Sequence, residues 1–356
     1  MKYVNNVNEI LNVKYTNTTF NLNFLLFLKI TDHVINKDVI NKELYLLDLQ
    51  TFLQNFLNGL QWGSFYALIA LGYTLVYGVL LLINFAHGDI FMVGAYIGFF
   101  IATFLLGTYT FQLPFTISPI LIFILTIIFA MLLTALVGVT LERVAYRPLR
   151  RKGAGRLYIV ITALMCGLIL ENGNLAFLGA SRLSFPELIP KAIYTFYGVT
   201  FTNVKIIVIV TTIVVFFFLE TIIRKTRLGM AMRAISYDRL AIPLMGISVD
   251  AVIVFTFVLG SSMAALAGVL FVTAYPVLEP YMGAMIGWKA FIAAVVGGIG
   301  EIRGALVGGF ILGFTEIFVA AIFPSTFRDL IAFGVLLILL SFKPTGIFGV
   351  ARADKI

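Results

Sequence analysis

A histidine and an aspartate stand two residues apart in segment 84–89, between two long apolar stretches. A histidine beside a carboxylate can titrate near neutral pH or contribute to a metal site. A metal site needs three or four converging ligands, and no second histidine, cysteine or carboxylate cluster accompanies His87 and Asp89. We therefore interpret the segment as a tight turn between two helices, in which the helix dipole stabilises Asp89 near an amino terminus.

The chain lacks the residue patterns of common hydrolytic enzymes. It has no Gly-x-x-x-x-Gly-Lys-Ser/Thr loop to hold nucleotide phosphates. His33 lies in an Asn-rich segment, and His87 has no recognisable nucleophile partner, so a Ser-His-Asp constellation is not indicated. The sequence thus predicts a protein that is not an enzyme, with no catalytic residue, no cofactor and no metal.

Ionisable residues are scarce within the apolar stretches. They are Glu171, Glu220, Glu316 and the pair Glu301 and Arg303. A carrier driven by ions places carboxylates deep in its spans, so this scarcity counts against ion-driven transport. Glu316 is the exception, because it lies about halfway along its stretch, and we take Glu316 and Asn84 as candidates for lining a solute path.

Segment 224–250 is basic in an otherwise apolar chain, with five Lys/Arg against two Asp. Such a segment does not cross a bilayer cheaply, and its pattern predicts one or two short helices lying against the membrane. Because the chain contains no motor of its own, we interpret residues 224–248 as a cytosolic coupling loop that a separate motor contacts. The candidate contact residues are Arg227, Gly229, Arg233, Asp238, Arg239 and Gly246.

Glycines are concentrated between residues 297 and 309. The spacing of Gly304 and Gly308 places both on one helical face, which favours close helix packing in lipid. Gly297, Gly298 and Gly300 fall at a helix junction instead. Irregular backbone at membrane depth is tolerated only against protein or a water-filled cavity, so these three glycines are candidates for lining a path.

Composition establishes the class of protein. The 356 residues are 61% hydrophobic and 12% charged, with a mean hydropathy of +1.03, whereas soluble domains carry about 25% charge. The chain is predicted to be an all-α, polytopic transmembrane helix bundle. Its single cysteine, Cys166, excludes an internal disulfide, and the net charge of +8 gives no indication of nucleic-acid binding.

Apolar windows long enough to span the bilayer predict eight helices, at 60–83, 89–106, 117–141, 157–178, 204–223, 251–275, 304–323 and 327–342. A ninth stretch, 290–299, either borrows residues from 283–289 to span or forms a re-entrant half-helix. Nine spans with the amino terminus outside fit the charges best. The basic segments at 142–156, at 224–250 and after Lys343 are then cytosolic, and the loops at 107–116, 179–203 and 276–289 face outward.

Three regions are predicted along the chain. Residues 1–50 form an Asn-rich extension, poorly ordered or lying along the membrane, with one apolar patch too short to span. It shows no signal-peptide pattern. Residues 51–349 form the transmembrane domain, and residues 350–356 form a cytosolic tail.

Several of these segments together resemble a known family. Segments 58–89, 142–149, 227–247 and 293–300, with Lys343-Pro-Thr-Gly-Ile-Phe-Gly349 closing the last helix, are similar to the membrane permeases of ABC importers for branched-chain amino acids. The resemblance runs from about residue 57 to residue 348, and the first 50 residues have no counterpart in the family pattern.

The resemblance implies a multi-pass permease subunit in a plasma membrane, either a bacterial inner membrane or an archaeal cell membrane. Its implied partners are a second homologous permease subunit, two ATP-binding cassette ATPase subunits and an external binding protein that delivers leucine, isoleucine or valine. ATP-driven movement of the ATPases would press on residues 224–248 and switch a central path between outward and inward openings.

Other functions remain open at this point. An ABC permease for urea or amides, nucleosides or sugars would share the fold. An ion-coupled carrier or channel is disfavoured by the scarcity of buried charge, and an intramembrane enzyme by the lack of a catalytic constellation.

The predicted topology can be tested with introduced cysteines. With Cys166 replaced, a cysteine at Arg151 or at Lys225 should resist an impermeant thiol reagent added to intact cells, because the Lys/Arg excess places both positions in the cytosol. Labelling is measured before and after permeabilisation. Ready labelling of either position in intact cells would reverse the orientation.

Overall fold

The computed structural model of the chain describes residues 37–110, 118–238, 242–324 and 326–349, and these residues are mostly helical. The helices are α1 (Lys37–Leu80), α2 (His87–Thr110), α3 (Pro119–Leu141), α4 (Arg147–Arg151), α5 (Arg156–Leu178), α6 (Asn203–Lys225), α7 (Arg227–Tyr237), α8 (Val249–Ala274), α9 (Met282–Gly297), α10 (Ile302–Ile322) and α11 (Phe327–Phe342). The strands are β1 (Leu183–Ser184), β2 (Ile193–Phe196), β3 (Val199–Thr202) and β4 (Val277–Leu278).

Seven helices of the described residues are long and apolar enough to cross a membrane. They are Leu49–Leu80, His87–Gly107, Pro119–Arg151, Arg156–Leu178, Asn203–Lys225, Val249–Ala274 and Ile302–Ile322. Each coincides with a predicted span, which confirms the polytopic helical fold. The total of nine spans stays a prediction.

Helix α9 answers the question about the short apolar stretch in part. The helix runs from Met282 to Gly297 and therefore includes the residues at 283–289 that a span would have to borrow. The prediction of an outward loop at 276–289 is wrong for the second half of that range, because the small and apolar residues there are part of the helix. At 16 residues, α9 is about 24 Å long, shorter than the roughly 30 Å of a hydrocarbon core.

The expected loop at 142–156 is also mostly helical. Helix α3 continues through a π-helical turn, Glu142–Tyr146, into α4, so one continuous helix extends to Arg151. The backbone N–H of Arg147 donates to the carbonyl of Glu142, the wider bonding pattern of a π-turn. This turn accommodates Pro148, which has no N–H to donate and would break a regular helix.

The predicted regions along the chain are not tested by the structure. Residues 1–36 and 350–356, which include most of the extension and the whole tail, lie outside the described residues. Helix α1 passes through the predicted boundary at residue 51, and the chain divides into two units after Thr51. The three regions therefore stay predictions.

Helices α1 and α8 form the centre of the bundle. In the apolar window of each span, 89% of residues are buried for α1 and 72% for α8, against 22% for both α5 and α6. The outer helices expose large apolar side chains, which is expected where lipid is the solvent. Exposed examples include Phe104, Leu136, Ile169 and Phe217.

Glycines allow the central helices to approach backbone to backbone. A side chain at Gly313 of α10 would meet the backbone of Gly63 of α1, and one at Gly309 would meet Ala67. Gly304 and Gly308 lie against Gly297 and Ala293 of α9 in the same way, and their predicted packing role is confirmed. Such close contacts drive helix association in lipid, where the hydrophobic effect between helices is absent.

The three basic segments gather at one end of the bundle. Arg150 of α4 pairs with Asp250 at the start of α8, at 2.6 Å. The backbone N–H groups of Ile347 and Phe348 donate to the carbonyls of Val296 and Gly297 at the end of α9. At the opposite end, β1 pairs antiparallel with β4, and β2 and β3 form a hairpin. The predicted grouping of the basic segments on one side is consistent with this arrangement.

Replacing Gly313 with leucine should destabilise the fold, because the new side chain would push α10 away from α1. Overpacking of this kind costs about 1–3 kcal/mol or more. The matched control is Gly334→Leu, because Gly334 of α11 has open space where its side chain would be. Thermal unfolding in detergent measures both, and equal melting temperatures for the two variants would contradict the packing described for Gly313.

Candidate functional site

Helix α7 occupies the middle of the predicted coupling loop. Thr226 ends α6 and also begins α7, because its side-chain oxygen accepts a hydrogen bond from the N–H of Gly229 at 3.1 Å. Such a cap stabilises the start of a helix by about 1 kcal/mol. Ala231, Met232 and Ile235 are buried beneath the helix. The predicted short amphipathic helix is therefore present.

Two glycines bound this segment. A side chain at Gly229 would meet the carbonyl oxygens of Ile222 and Ile223, so glycine lets α7 fold back against the end of α6. Gly246 has a φ of +76°, a left-handed conformation that favours glycine. It closes a short 3₁₀ turn, Ile242–Met245, just before Ser248 caps α8.

The outer face of the segment mixes charge with exposed apolar side chains. Arg227, Arg233 and Asp238 are exposed, whereas Arg239 lies outside the described residues. Beside them, Tyr237 is 77% exposed and Leu244 is 90% exposed. Aromatic, aliphatic and arginine side chains on one surface are typical of the centre of a protein interface.

An ion network ties the segment to the rest of the basic end. Arg150 donates to Asp250 at 2.6 Å and to Glu142 at 2.9 Å. Arg147 and Arg151 also pair with Asp250, at 3.3 and 3.0 Å. The Glu142 side chain is fully buried, so its charge depends on these arginines. The network joins the continuous helix formed by α3 and α4 to the first turn of α8. This turn comes directly after the predicted coupling loop.

A second network lies on the other side of α7. Glu220 of α6 accepts from Arg303 at the start of α10, at 2.6 Å, and pairs with Arg224 at 3.1 Å. Arg233 of α7 donates to the backbone carbonyl of Arg224 at 3.4 Å. The contacts connect α6, α7 and α10 through three arginines.

A cavity of about 310 Å³ opens among these groups. It is lined by Thr74 and Gly78 of α1, by Glu220 and Arg233, and by the junction at Gly300. The structure thus brings together two sets of predicted residues that are far apart in the sequence, the coupling segment and the glycine junction.

The three junction glycines differ in their surroundings. Gly297 packs against Gly304, and Gly298, with a φ of +106°, lies against the backbone of Phe348 and Gly349. Gly300, with a φ of +99°, lies near Tyr77 and Gly78 and lines the cavity. The two left-handed conformations require glycine. A role of the three residues in lining a path stays a prediction.

Segment 81–86 breaks the helical chain between α1 and α2. Asn84 is buried, and its side-chain oxygen accepts a hydrogen bond from the Tyr146 hydroxyl at 2.6 Å. His87 is buried with its ring 4.7 Å from that of Tyr73. Asp89 lies in the first turn of α2, as predicted for a carboxylate at a helix amino terminus. The interpretation of the segment as a turn between two helices is confirmed.

Glu316 belongs to a polar cluster (Tyr66, Lys289, Glu316 and Asp329). The Tyr66 hydroxyl donates to Glu316 at 2.7 Å, and the Lys289 ammonium lies 2.9 Å from Glu316 and 2.7 Å from Asp329. Glu316 is 1% exposed. The cluster joins α1, α9, α10 and α11.

Sequence reasoning missed most of these partners. Lys289 was expected in an outward loop, and Glu142 and Asp250 belonged to segments interpreted as solvent-exposed. The partners of Lys289 and Asp250 lie about 30 to 100 positions away along the chain, so local spacing gave no signal for them. Glu142 pairs with Arg147 and Arg150 of its own segment, and only its full burial was not predicted. Among the described residues, no group of three or more His, Cys, Asp or Glu side chains is arranged to hold a metal ion.

Loss of the Glu142 charge should destabilise the protein, because it leaves Arg150 with one carboxylate partner instead of two. A lost hydrogen bond between charged groups costs about 1.5–3 kcal/mol, and Arg150 keeps its bond to Asp250. Glu142→Gln should therefore lower the melting temperature in detergent. The control is Glu279→Gln, whose pair with Arg182 is largely exposed and contributes less than about 1 kcal/mol. Equal effects of the two substitutions would contradict the buried network.

Comparison with known proteins places this arrangement in a family. Residues 55–340 match the family model of the branched-chain amino acid transport system permease component. The chain is 39% identical over 313 residues to the high-affinity branched-chain amino acid transport system permease protein BraD of Pseudomonas aeruginosa, covering 87% of this chain and 99% of that protein. No solved structure matches the chain significantly.

Two further relatives extend the comparison. The LivH permease protein of Escherichia coli K12, named for high-affinity branched-chain amino acid transport, is 38% identical over 311 residues, covering 86% of this chain and 98% of LivH. The probable LivH permease of Methanocaldococcus jannaschii is 29% identical over 304 residues, covering 81% and 90%. The chain belongs to the family of branched-chain amino acid transport system permease components.

Proposed function

We propose that the chain is the membrane-spanning permease subunit of an ATP-driven importer of leucine, isoleucine and valine. The observation that carries the proposal is the likeness to BraD over almost the full length of both proteins. The chain is a multi-pass membrane protein of the plasma membrane. All three relatives described above are named for branched-chain amino acids, which favours this substrate class over urea, nucleosides or sugars.

The proposed complex contains a second homologous permease subunit, two ATP-binding cassette ATPase subunits and an external substrate-binding protein. ATP hydrolysis then resides in the ATPase subunits. The exposed surface around α7 supports the assignment of ATP hydrolysis to separate subunits, because Arg233 and Tyr237 of α7 and Leu244 of the 3₁₀ turn are exposed at the basic end of the bundle. We assign the docking of an ATPase to this face.

A force on α7 would reach the centre of the bundle by two routes. At one end, Thr226 connects α7 directly to α6, and Glu220 and Arg303 connect α6 to α10. At the other end, the 3₁₀ turn leads into α8, whose first turn is held by Arg150 through Asp250. Because α8 is one of the two central helices, its movement would displace the helices around it.

The proposed solute path follows the breaks in the helices. The helical structure is interrupted at 81–86 and 298–301, and transporters use helix ends at such breaks to hold charged parts of substrates. Asn84 beside the first break, and Gly297, Gly298 and Gly300 at the second, are the proposed path residues together with Glu316. Gly300 lines the cavity of about 310 Å³, whereas Glu316 places a carboxyl group in the buried interior.

The proposal predicts that Arg233→Glu blocks import while the protein still inserts and folds. Charge reversal on a docking face introduces repulsion against its partner. Uptake of radiolabelled leucine is measured in proteoliposomes that contain the complete complex, with ATP in the compartment of the ATPases and the binding protein outside. We expect uptake to fall by about tenfold or more, equivalent to about 1.4 kcal/mol.

Lys152→Glu is the matched control, because Lys152 is exposed at the same end of the bundle but lies outside the coupling segment. It should leave uptake near the wild-type rate. Normal uptake and normal ATPase co-purification with Arg233→Glu would refute the docking role of α7. A wild-type complex that transports urea or ribose but not leucine would refute the proposed substrate.

A further inference from the structure

The cavity beside α7 combines charged and apolar walls. Its volume of about 310 Å³ falls at the lower end of the range of about 300–1,000 Å³ typical of sites for small molecules. It lies between the central helix α1, the coupling helix α7 and the glycine junction before α10. A ligand in this position would contact the moving and the fixed parts of the basic end at the same time.

The polar wall carries both signs of charge. Arg224 and Arg303 share one oxygen of Glu220 through their Nε atoms, and each guanidinium has further N–H groups to donate. Arg233 donates one hydrogen bond to the backbone carbonyl of Arg224. Glu301 lines the same cavity and is exposed.

The cavity lining also contains apolar side chains. Leu75 and Val79 of α1 and Met232 of α7 line the cavity, and each is only 2% exposed. Ile223 and Ile302 also line the cavity. Thr74, 1% exposed, also lines the cavity, and its hydroxyl has no hydrogen-bond partner in the described part of the chain. A buried hydroxyl without a partner is costly, so it is suited to a ligand that bonds to it.

We propose that this cavity binds a free aliphatic α-amino acid from the cytosolic side. The arginines would hold the carboxylate, Glu301 the ammonium group, and Leu75 and Val79 the branched side chain. A phospholipid headgroup or a free phosphate suits the cavity less well, because two carboxylates line the wall together with the arginines. The inference rests on the proposed function for the substrate class and for the cytosolic orientation of this end.

The position of the ligand gives it a regulatory role. An amino acid held between Arg233 of α7 and Glu301 beside α10 would bridge the coupling helix to a helix of the bundle. It would thereby oppose the movement of α7, so that accumulated product would slow its own import.

Equilibrium binding of tritiated L-leucine tests the site directly. The complete complex is placed in phosphatidylcholine nanodiscs without nucleotide and without the external binding protein. We expect saturable binding that weakens by about tenfold or more in Ser236→Trp, which fills the cavity from α7, and in Glu301→Gln, which removes the ammonium partner. Ser181→Trp, an exposed position at the strand end of the bundle, is the matched control and should bind like wild type.

Analogues and lipids separate the possible ligands. We expect 4-methylpentanoate, which lacks the ammonium group, and 3-methylbutylamine, which lacks the carboxylate, to bind at least about tenfold more weakly than leucine. Binding of 4-methylpentanoate equal to that of leucine would overturn the proposal and indicate an anion site. Loss of leucine binding when phosphatidylglycerol is added to the nanodiscs would assign the cavity to a lipid headgroup instead.

The result is separable from the proposed function. Leucine uptake by a complex that shows no saturable binding, or binding that neither Ser236→Trp nor Glu301→Gln weakens, would overturn the inference and leave the importer assignment intact. A complex that hydrolyses ATP but does not transport leucine would refute the importer assignment, while the binding measurement would still decide the chemistry of the cavity.

Discussion

Close approach of helix backbones is the constraint on which the rest of this structure depends. Lipid tails are as apolar as leucine, so burying more leucine between helices gains little, and contact between well-fitted surfaces must hold the bundle together. Gly63 and Gly313, and Gly304 against Gly297, bring α1, α10 and α9 within backbone contact. These contacts set the position of each helix along its axis and therefore determine which charged side chains meet. Glu316 reaches Tyr66 and Lys289 because α1 and α9 both pack against α10.

Charge is distributed to suit this packing. At the basic end, single carboxylates are each shared by two or three arginines, as Asp250 and Glu220 illustrate. In the polar cluster the ratio is reversed, because Lys289 is shared by two carboxylates. Sharing allows a charge to keep a partner while the helices shift against one another. A transporter that alternates between conformations needs this property, because an unpaired charge within the membrane is costly.

Hydrophobic length predicted the positions of most helices well. The stretches expected at 157–178 and 204–223 correspond to α5 and α6 within a few residues, because a span must cover the hydrocarbon core with apolar side chains. The amphipathic pattern likewise predicted α7. Such patterns are local, and each is visible within one stretch of sequence.

Features that depend on packing were not predictable in the same way. Segment 142–151 is rich in arginine and therefore suggested a loop, yet it is helical, because Asp250 pairs with Arg150 and the π-turn accommodates Pro148. Residues 276–289 were assigned to an outward loop with few charges, yet those from Met282 onward belong to α9. For the candidate site, the sequence indicated the predicted coupling loop and the glycine junction separately. Their meeting at one cavity follows only from the way in which α1, α6 and α7 pack.

Thr226 gives the link between α6 and α7 a mechanical property. A single residue caps the end of one helix and the start of the next, so the connection contains only one pair of backbone dihedrals. A flexible linker would transmit only part of a movement of α7, because the rest of the movement would extend the linker and reduce its conformational freedom. A connection of one residue has almost no length that can extend in this way. In the proposed coupling role, Thr226 would act as a pivot, and α7 as a short lever whose rotation turns α6 directly.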